Sequence, residues 1–304
     1  MQTIFLGTPA LAVPFLERLH QKTKIAAVIA APDQPAGRGY ELKAPEVKIA
    51  AQKLSLSVLQ PETLKNPAVI DQIRAFNAEV GIVVAYGKLL PKDVLGIPKH
   101  GFLNVHFSLL PKYRGAAPIQ WALIHGETET GVTLFWLDEG MDTGPIFLQK
   151  RIAIQPEDDA QSLRNKLVDL GVLCLEEAVD LIERSEIKRI PQAGEASKAA
   201  ILKKEDGRID WAKPAEAIWN QVRGMTPWPG TFTGGLKIVK AHLLFESGPG
   251  EPGRIMSVVS GEGPVVKCGQ HSLALLQVQP EGKKPMSAWS WWQGARLKIG
   301  DQIG

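Results

Sequence analysis

The sequence predicts an α/β protein in two parts, a doubly wound parallel sheet followed by a small β barrel or sandwich. Three features carry that expectation. At 304 residues the chain is twice the ~150 residues of a common single domain. Up to residue 183, apolar strand-like runs alternate with amphipathic stretches, the βαβ rhythm of a parallel sheet covered on both faces. Beyond residue 204 the texture changes to one helix and then short strands bounded by Gly and Pro. Hydrophobic residues make up 44% of the chain and charged residues 22%, which supports two buried cores and excludes wholesale disorder.

The elements follow in order. TIFLG (3–7) reads as a strand, Pro9 to Gln21 as a helix and IAAVIAA (25–31) as the second strand. A helix near Val47 to Leu54 precedes SLSVLQ (55–60), and a helix over Ala68 to Asn77 precedes EVGIVVAYG (79–87), whose near-continuous apolar run suits a central strand. GFLNVHF (101–107) follows, then GVTLFWL (131–137) and IFLQKRIAI (146–154), which resemble antiparallel or edge strands. Between Asp158 and Glu183, Leu163, Leu167, Leu170, Cys174, Ala178 and Leu181 recur every three or four residues, the stripe of one long helix, so Cys174 is expected in the core. Residues 184–204 lack periodicity and read as a linker. A helix from Pro214 to Arg223 then opens the last part, with strands in FTGGLKIVKA, GRIMSVV, PVVKCG and LALLQVQP. Of the tryptophans gathered there, at 211, 219, 228, 289, 291 and 292, most are expected in the core, although aromatics on a basic barrel also stack bases.

Composition narrows the classes of function. Two cysteines, Cys174 and Cys268, form no CxxC pair, which excludes a disulfide scaffold and suits a reducing, cytoplasmic setting. The N-terminus lacks a signal-peptide pattern, and the longest apolar run, Ile25 to Ala31, is too short for a bilayer, so no membrane partner is expected. No heptads point to an oligomer, and a monomer is expected. Basic and acidic side chains number 18 and 20 in residues 1–182, 6 and 3 in 183–204, and 11 and 9 in 205–304. The basic middle suits either a solvated linker or a polyanionic partner.

Asn104 and His106 are the most unusual polar placement. Inside a strand their spacing puts both on one face, with Leu103, Val105 and Phe107 on the other, and the strand leads to Ser108, Leu109, Leu110 and Pro111 at the carboxyl end, where open α/β sheets hold ligands. Such a pair is either a satisfied hydrogen-bond pair or a catalytic one. DEGMDTG (138–144) supplies a Gly-flanked carboxylate, Asp142, in a turn. Placed beside His106, that carboxylate would raise the imidazole pKa from its usual ~6.5 and tune it for proton transfer. The six histidines show no metal-ligand spacing, and no metal is expected. GTPA (7–10) lacks the GxGxxG fingerprint, and neither a P-loop nor a GxSxG elbow occurs. PDQPAGRG (32–39) reads as a flexible loop carrying Arg38, either a surface turn or a phosphate contact.

NVHFSLLPKYRGAAPIQ (104–120), DEGMDTGP (138–145), VVAYGKLLP (83–91) and PDQPAGRG, with GRIDW (207–211), TPWPG (226–230) and GKKPMSA (282–288), closely resemble the methionyl-tRNA formyltransferase family over nearly the whole chain. NxH, SLLP and DTG are shared by the wider group of formyltetrahydrofolate transformylases; YRGAAPIQ and the C-terminal landmarks point to the tRNA enzymes. The resemblance implies a Rossmann-like formyltransferase domain (1–183), a basic linker (184–204) and an OB-like tRNA-binding domain (205–304). It further implies that the formyl group of 10-formyltetrahydrofolate passes to the α-amine of initiator methionyl-tRNA. By motif, Asn104, His106 and Asp142 match the catalytic triad, with Asn104 and a protonated His106 donating to the developing oxyanion. Ser108, Leu109, Leu110 and Pro111, with Tyr86 and Gly87, match the folate site, and Arg38 and Lys43 the loop that meets the acceptor stem. Phe107 is bulkier than the small residue the family pattern carries there.

Overall fold

A computed structural model describes residues 1–36, 41–246, 248 and 250–303. Its contacts divide the chain into two compact units: Met1–Gly115, Thr130–Ile152 and Lys166–Lys198 form the first, and Ala116–Glu129, Ala153–Asn165 and Ala199–Gly304 the second.

The strands of the first unit are β1 (Gln2–Gly7), β2 (Lys24–Ile29), the short β3 (Gln34–Ala36) and β4 (Glu41–Lys43), β5 (Val58–Leu59), β6 (Val80–Val84), β7 (Phe102–His106), β8 (Arg114–Gly115), β9 (Glu129–Trp136) and β10 (Ile146–Ala153). Seven of them make one sheet in the order β10-β9-β7-β6-β1-β2-β5. The pairings β5·β2, β2·β1, β1·β6 and β6·β7 are parallel, and β9 joins β7 antiparallel. This is the doubly wound sheet with an antiparallel flank that the alternation predicts. Helices α1 (Val13–Lys22), α2 (Glu46–Lys53), α3 (Pro67–Ala75) and the one-turn α4 (Lys92–Leu95) connect it. The first helix starts later than Pro9, because a 3-10 turn over Ala10–Ala12 precedes it.

Two apolar layers fix the sheet. On one face Ile4, Leu6, Ile29, Ile70, Ile73, Val83, Val94 and Phe102 pack under α3 and α4. On the other lies α6 (Ala160–Glu183), the predicted long helix, with Leu163, Leu167, Cys174 and Ala178 fully buried. Arg18 and Lys22 of α1 pair with Glu176 and Asp180 of α6. Phe107 meets Phe15 of α1 edge-on, 6.1 Å between centroids, so its bulk goes into this layer.

Within the segment predicted as a loop at 32–39, Gln34–Ala36 forms β3, which pairs antiparallel with β4, Gln34 with Lys43 and Ala36 with Glu41. Arg38 lies outside the described residues. Lys43 is exposed on β4 and pairs with Glu46 at 2.7 Å.

The second unit holds α5 (Pro118–Ile124), β11 (Lys198–Ala199) in part, α7 (Ala215–Met225), β12 (Thr231–Thr233), β13 (Leu236–Leu244), β14 (Ile255–Val259), β15 (Gly263–Lys267), β16 (Ser272–Pro280), β17 (Met286–Ser287) and α8 (Ala288–Gly294). Its antiparallel sheet runs β12-β13-β16-β15-β14, with β17 on β16. Trp211 is buried in its core, and Trp219, Trp291 and Trp292 pack against that core half-buried. Trp228 is 60% exposed, against the expectation for most of the group, because it sits in the loop between α7 and β12 rather than on a packed face. No helix among the described residues is long and apolar enough to cross a membrane.

Candidate active site

β7 ends at His106, at the carboxyl edge of the parallel strands. Alternation along it puts Phe102, Asn104 and His106 on one face. Phe102 fills the α3/α4 layer, and the two polar residues continue the same face past that layer. Asn104 is half-buried, and among the described residues its amide has no hydrogen-bond partner. His106 is 5% exposed, its ring edge-on to Phe135.

Two turns supply the neighbours of His106. Its Nε2 lies 2.9 Å from the carbonyl oxygen of Tyr113. A carbonyl only accepts, so Nε2 carries the hydrogen and the other nitrogen is left as the lone-pair site of the neutral ring. That atom, Nδ1, faces Oδ2 of Asp142 at 3.6 Å. The same oxygen accepts the Gly115 N–H at 2.8 Å. The structure thus brings His106 and Asp142 together and sets Asn104 two residues away on the same strand face.

Burial pulls the His106 imidazole below its ordinary pKa, and the opposing pull of Asp142 and the Tyr113 carbonyl does not overcome it. The expected upward shift is therefore reversed: it counted the carboxylate and omitted desolvation, which disfavours the charged ring. Desolvation favours the neutral ring, whose contact with Asp142 becomes an ion pair only when Nδ1 takes a proton.

The first turn is locked from inside. Thr133, the register partner of His106 on β9, donates to the Ser108 carbonyl at 2.6 Å and accepts from the Leu110 N–H at 3.2 Å and from Gln149 Nε2 at 2.8 Å. Ser108 is fully buried, and its hydroxyl donates to the Lys112 carbonyl. Leu110 and Pro111 are buried as well, and Leu109 is half-buried. As placed, Ser108 to Pro111 shape the backbone rather than offer side-chain donors. The second turn holds itself through Asp138, which accepts from Gly140 N–H and the Thr143 hydroxyl. Gly144 closes it so tightly against the Trp136 carbonyl that a Cβ would collide there. Tyr113 and Asp142 both have left-handed backbone, φ +61° and +55°.

Tyr86 and Gly87 follow β6 at the same sheet edge. The Tyr86 ring is buried in the α3/α4 layer, and its hydroxyl is buried without a partner among the described residues. Beside the second turn lies a cavity of about 500 Å³, walled by Lys92, Leu95, Gly96, Leu137, Asp138, Glu139 and Gly140. Asp138, Glu139 and Gly140 belong to DEGMDTG, whereas nothing in the spacing of Lys92, Leu95, Gly96, Thr133 and Gln149 ties them to Asn104 or His106. Among the described residues no group of three or more His, Cys, Asp or Glu is placed to hold a metal ion.

The formyl transferase family model matches residues 1–179, and the model of the formyl transferase C-terminal domain matches residues 201–296. Methionyl-tRNA formyltransferase of Thermodesulfovibrio yellowstonii is 46% identical over 98% of this chain and 97% of that protein. The Geobacter metallireducens and Thermus thermophilus proteins of the same name are each 44% identical over 100% of this chain and 99% of their own. The chain belongs to the methionyl-tRNA formyltransferase family. The fold of this family member is also that of more distant solved structures. The sugar 3N-formyl transferase WlaRD, solved with dTDP and 5-N-formyl-THF, superposes with a TM-score of 0.69 at 20% identity, covering 90% of this chain and 97% of that one. HypX from Aquifex aeolicus, solved with tetrahydrofolic acid, gives 0.65 at 16% identity over 100% of this chain and 49% of its own.

Proposed function

We propose that this chain moves the formyl group of 10-formyltetrahydrofolate to the α-amine of initiator methionyl-tRNA, acting in the cytoplasm as a monomer. The observation that carries this reading is the contact of the His106 imidazole with the Asp142 carboxylate at the sheet edge, with Asn104 on the same strand face, in a chain of this family.

The geometry supports the following roles. As the α-amine attacks the formyl carbon and a C–N bond forms, the amide of Asn104 donates to the oxygen that gains negative charge, a contribution typically worth about 10²–10³ in rate. Nδ1 of His106 accepts the proton shed by the attacking nitrogen. Asp142 lies where it stabilises the imidazolium so formed, and the Tyr113 carbonyl keeps the ring from turning. The same nitrogen then returns the proton to the departing folate nitrogen as its bond to the formyl carbon breaks. His106 therefore starts as a base and finishes as an acid, in keeping with its lowered pKa.

The open cavity lined by Lys92, Leu95, Gly96, Leu137 and Asp138 to Gly140 offers both apolar and hydrogen-bonding groups to a flat heterocycle. We assign it, with Tyr86, Gly87 and the Ser108 to Pro111 turn, to the folate. Residues 1–183 form the catalytic part in this reading, 184–204 the linker and 205–304 the tRNA-binding part. Arg38 and Lys43 meet the acceptor stem. The exposed Lys237 and Lys240 of β13 and the exposed Trp228 support RNA binding by the C-terminal part.

Incubation of the purified chain with 10-formyltetrahydrofolate and methionylated initiator tRNA, followed by mass analysis of the released aminoacyl group, tests the reading. N-formylmethionine is expected. Unmodified methionine after prolonged incubation with active donor overturns it.

A further inference from the structure

The stretch after α6, residues 184–198 of the first unit, is tied to the sheet at successive points. The Lys188 carbonyl accepts the Trp136 indole N–H at 2.9 Å. Ile190 exchanges backbone hydrogen bonds with Ile146 at 2.7 and 2.9 Å. Ser197 accepts the Tyr113 N–H on its hydroxyl and the Arg114 N–H on its carbonyl, both at 2.9 Å. Between these ties stands Gln192. Its Nε2 donates to the carbonyls of Asp142 and Gly144, at 2.8 and 2.9 Å. Its Oε1 accepts from Nε and Nη2 of Arg114, at 3.2 and 2.7 Å. Two donors and two acceptor sites are all that a glutamine amide has, so the group is saturated and its orientation is fixed by the cationic donor that claims the oxygen.

These bonds close a ring. From Gln192 the path runs to Arg114, through one peptide bond to Gly115, from the Gly115 N–H to the Asp142 carboxylate, and from the Asp142 carbonyl back to Gln192. The ring holds the backbone and the side chain of Asp142 at once. Its backbone lies in the left-handed region, φ +55°, which aspartate tolerates better than most residues with a Cβ and which the ring of bonds holds in place. On the same turn Glu139 pairs with Lys92 of α4 at 2.8 Å through two exposed side chains, and Met141 is exposed, so neither reaches the Asp142 backbone as Gln192 does.

We propose that Gln192 is a positioning residue for the formyl transfer, setting the distance between Asp142 and His106 through the Asp142 backbone. The inference rests on the roles given to His106 and Asp142 above. It assigns to a segment outside every motif the task of holding the turn on which the proton transfer depends.

Gln192→Ala and Gln192→Glu test it in the full-length chain. Glu is isosteric, keeps the Arg114 contact and loses both donors to the turn. Both variants are expected to retain the melting temperature of the parent within a few degrees and to lower kcat about tenfold, with KM for donor and tRNA within twofold. In ¹⁵N-histidine-labelled protein the titration of His106 moves to lower pH, as it does in Asp142→Asn, and Gln192→Ala adds no further shift to Asp142→Asn. An unmoved His106 titration in Gln192→Ala overturns the proposal, whatever the protein formylates. So does a kcat loss that simply multiplies with that of Asp142→Asn. A parent protein that fails to formylate methionyl-tRNA while the titrations behave as stated sinks the functional reading and leaves the positioning role standing.

Discussion

The two turns that flank His106 do the same job by different means. The turn after β7 delivers the Tyr113 carbonyl and is buried, pinned from below by Thr133 and Gln149. The turn after β9 delivers the Asp142 carboxylate and is exposed over Glu139 and Met141, held by its own Asp138, by Gly144 and by Gln192. The difference follows the chemistry on each side of the ring. Nε2 keeps one hydrogen bond throughout, and a buried, fully satisfied backbone serves that best. In the proposed reaction Nδ1 gains and loses a proton, and its partner sits on an exposed turn beside the cavity.

The largest expected effect breaks the second turn's contribution to chemistry while keeping its shape. Asp142→Asn removes the charge that favours the imidazolium, and kcat should fall about 10²–10⁴-fold. Since Asp142 acts to raise the His106 pKa, its loss lowers that pKa further. The acid limb of the kcat profile, where the base becomes protonated, then moves to lower pH. Rates measured from pH 5 to 8 check this, and a limb that stays in place would remove Asp142 from the proton transfer. A middle-sized effect tests the first turn. Thr133→Val leaves the Ser108 carbonyl and the Leu110 N–H without their partner, at a cost of about 2–4 kcal/mol in urea unfolding, since each unsatisfied buried group costs ~1–3 kcal/mol. Met141→Ser on the exposed turn should stay within about 0.5 kcal/mol. Equal losses from the two would erase the contrast between the turns. The smallest effect lies on neither turn: Lys43→Ala removes an exposed ion pair, with a stability change of about 0–0.5 kcal/mol. It should leave kcat unchanged and reduce the salt slope of tRNA affinity by about one. A drop in kcat with an unaltered slope would take Lys43 out of RNA binding.

Much of this arrangement is legible in the linear order of residues. A period of two is enough to place Asn104 and His106 together, and a Gly-flanked Asp in a turn after the next strand is enough to suspect Asp142. The doubly wound sheet follows from strands alternating with amphipathic helices, and the stripe from Leu163 to Leu181 is a long helix. What escaped depends on contacts across distance or on burial. Gln192 meets Asp142 from fifty positions away, with no periodic pattern to announce it. Thr133 looks like any strand threonine until its register against His106 is known. The direction of the His106 shift turns on how deeply the ring is enclosed, which composition does not report. The pairing of β3 with β4 is not legible because Gly and Pro mark loops and strand ends alike, and the exposure of Trp228 because aromatic content says nothing of which loop carries a ring.

The left-handed backbone at position 142 narrows what evolution or an engineer can install there. Chain geometry alone would admit Gly, Asn or Asp with little penalty, since short side chains tolerate that region best. Charge alone would admit Asp or Glu. Only aspartate satisfies both filters, so a longer acid introduced to reach deeper into the cleft would meet resistance from the main chain before it met any substrate.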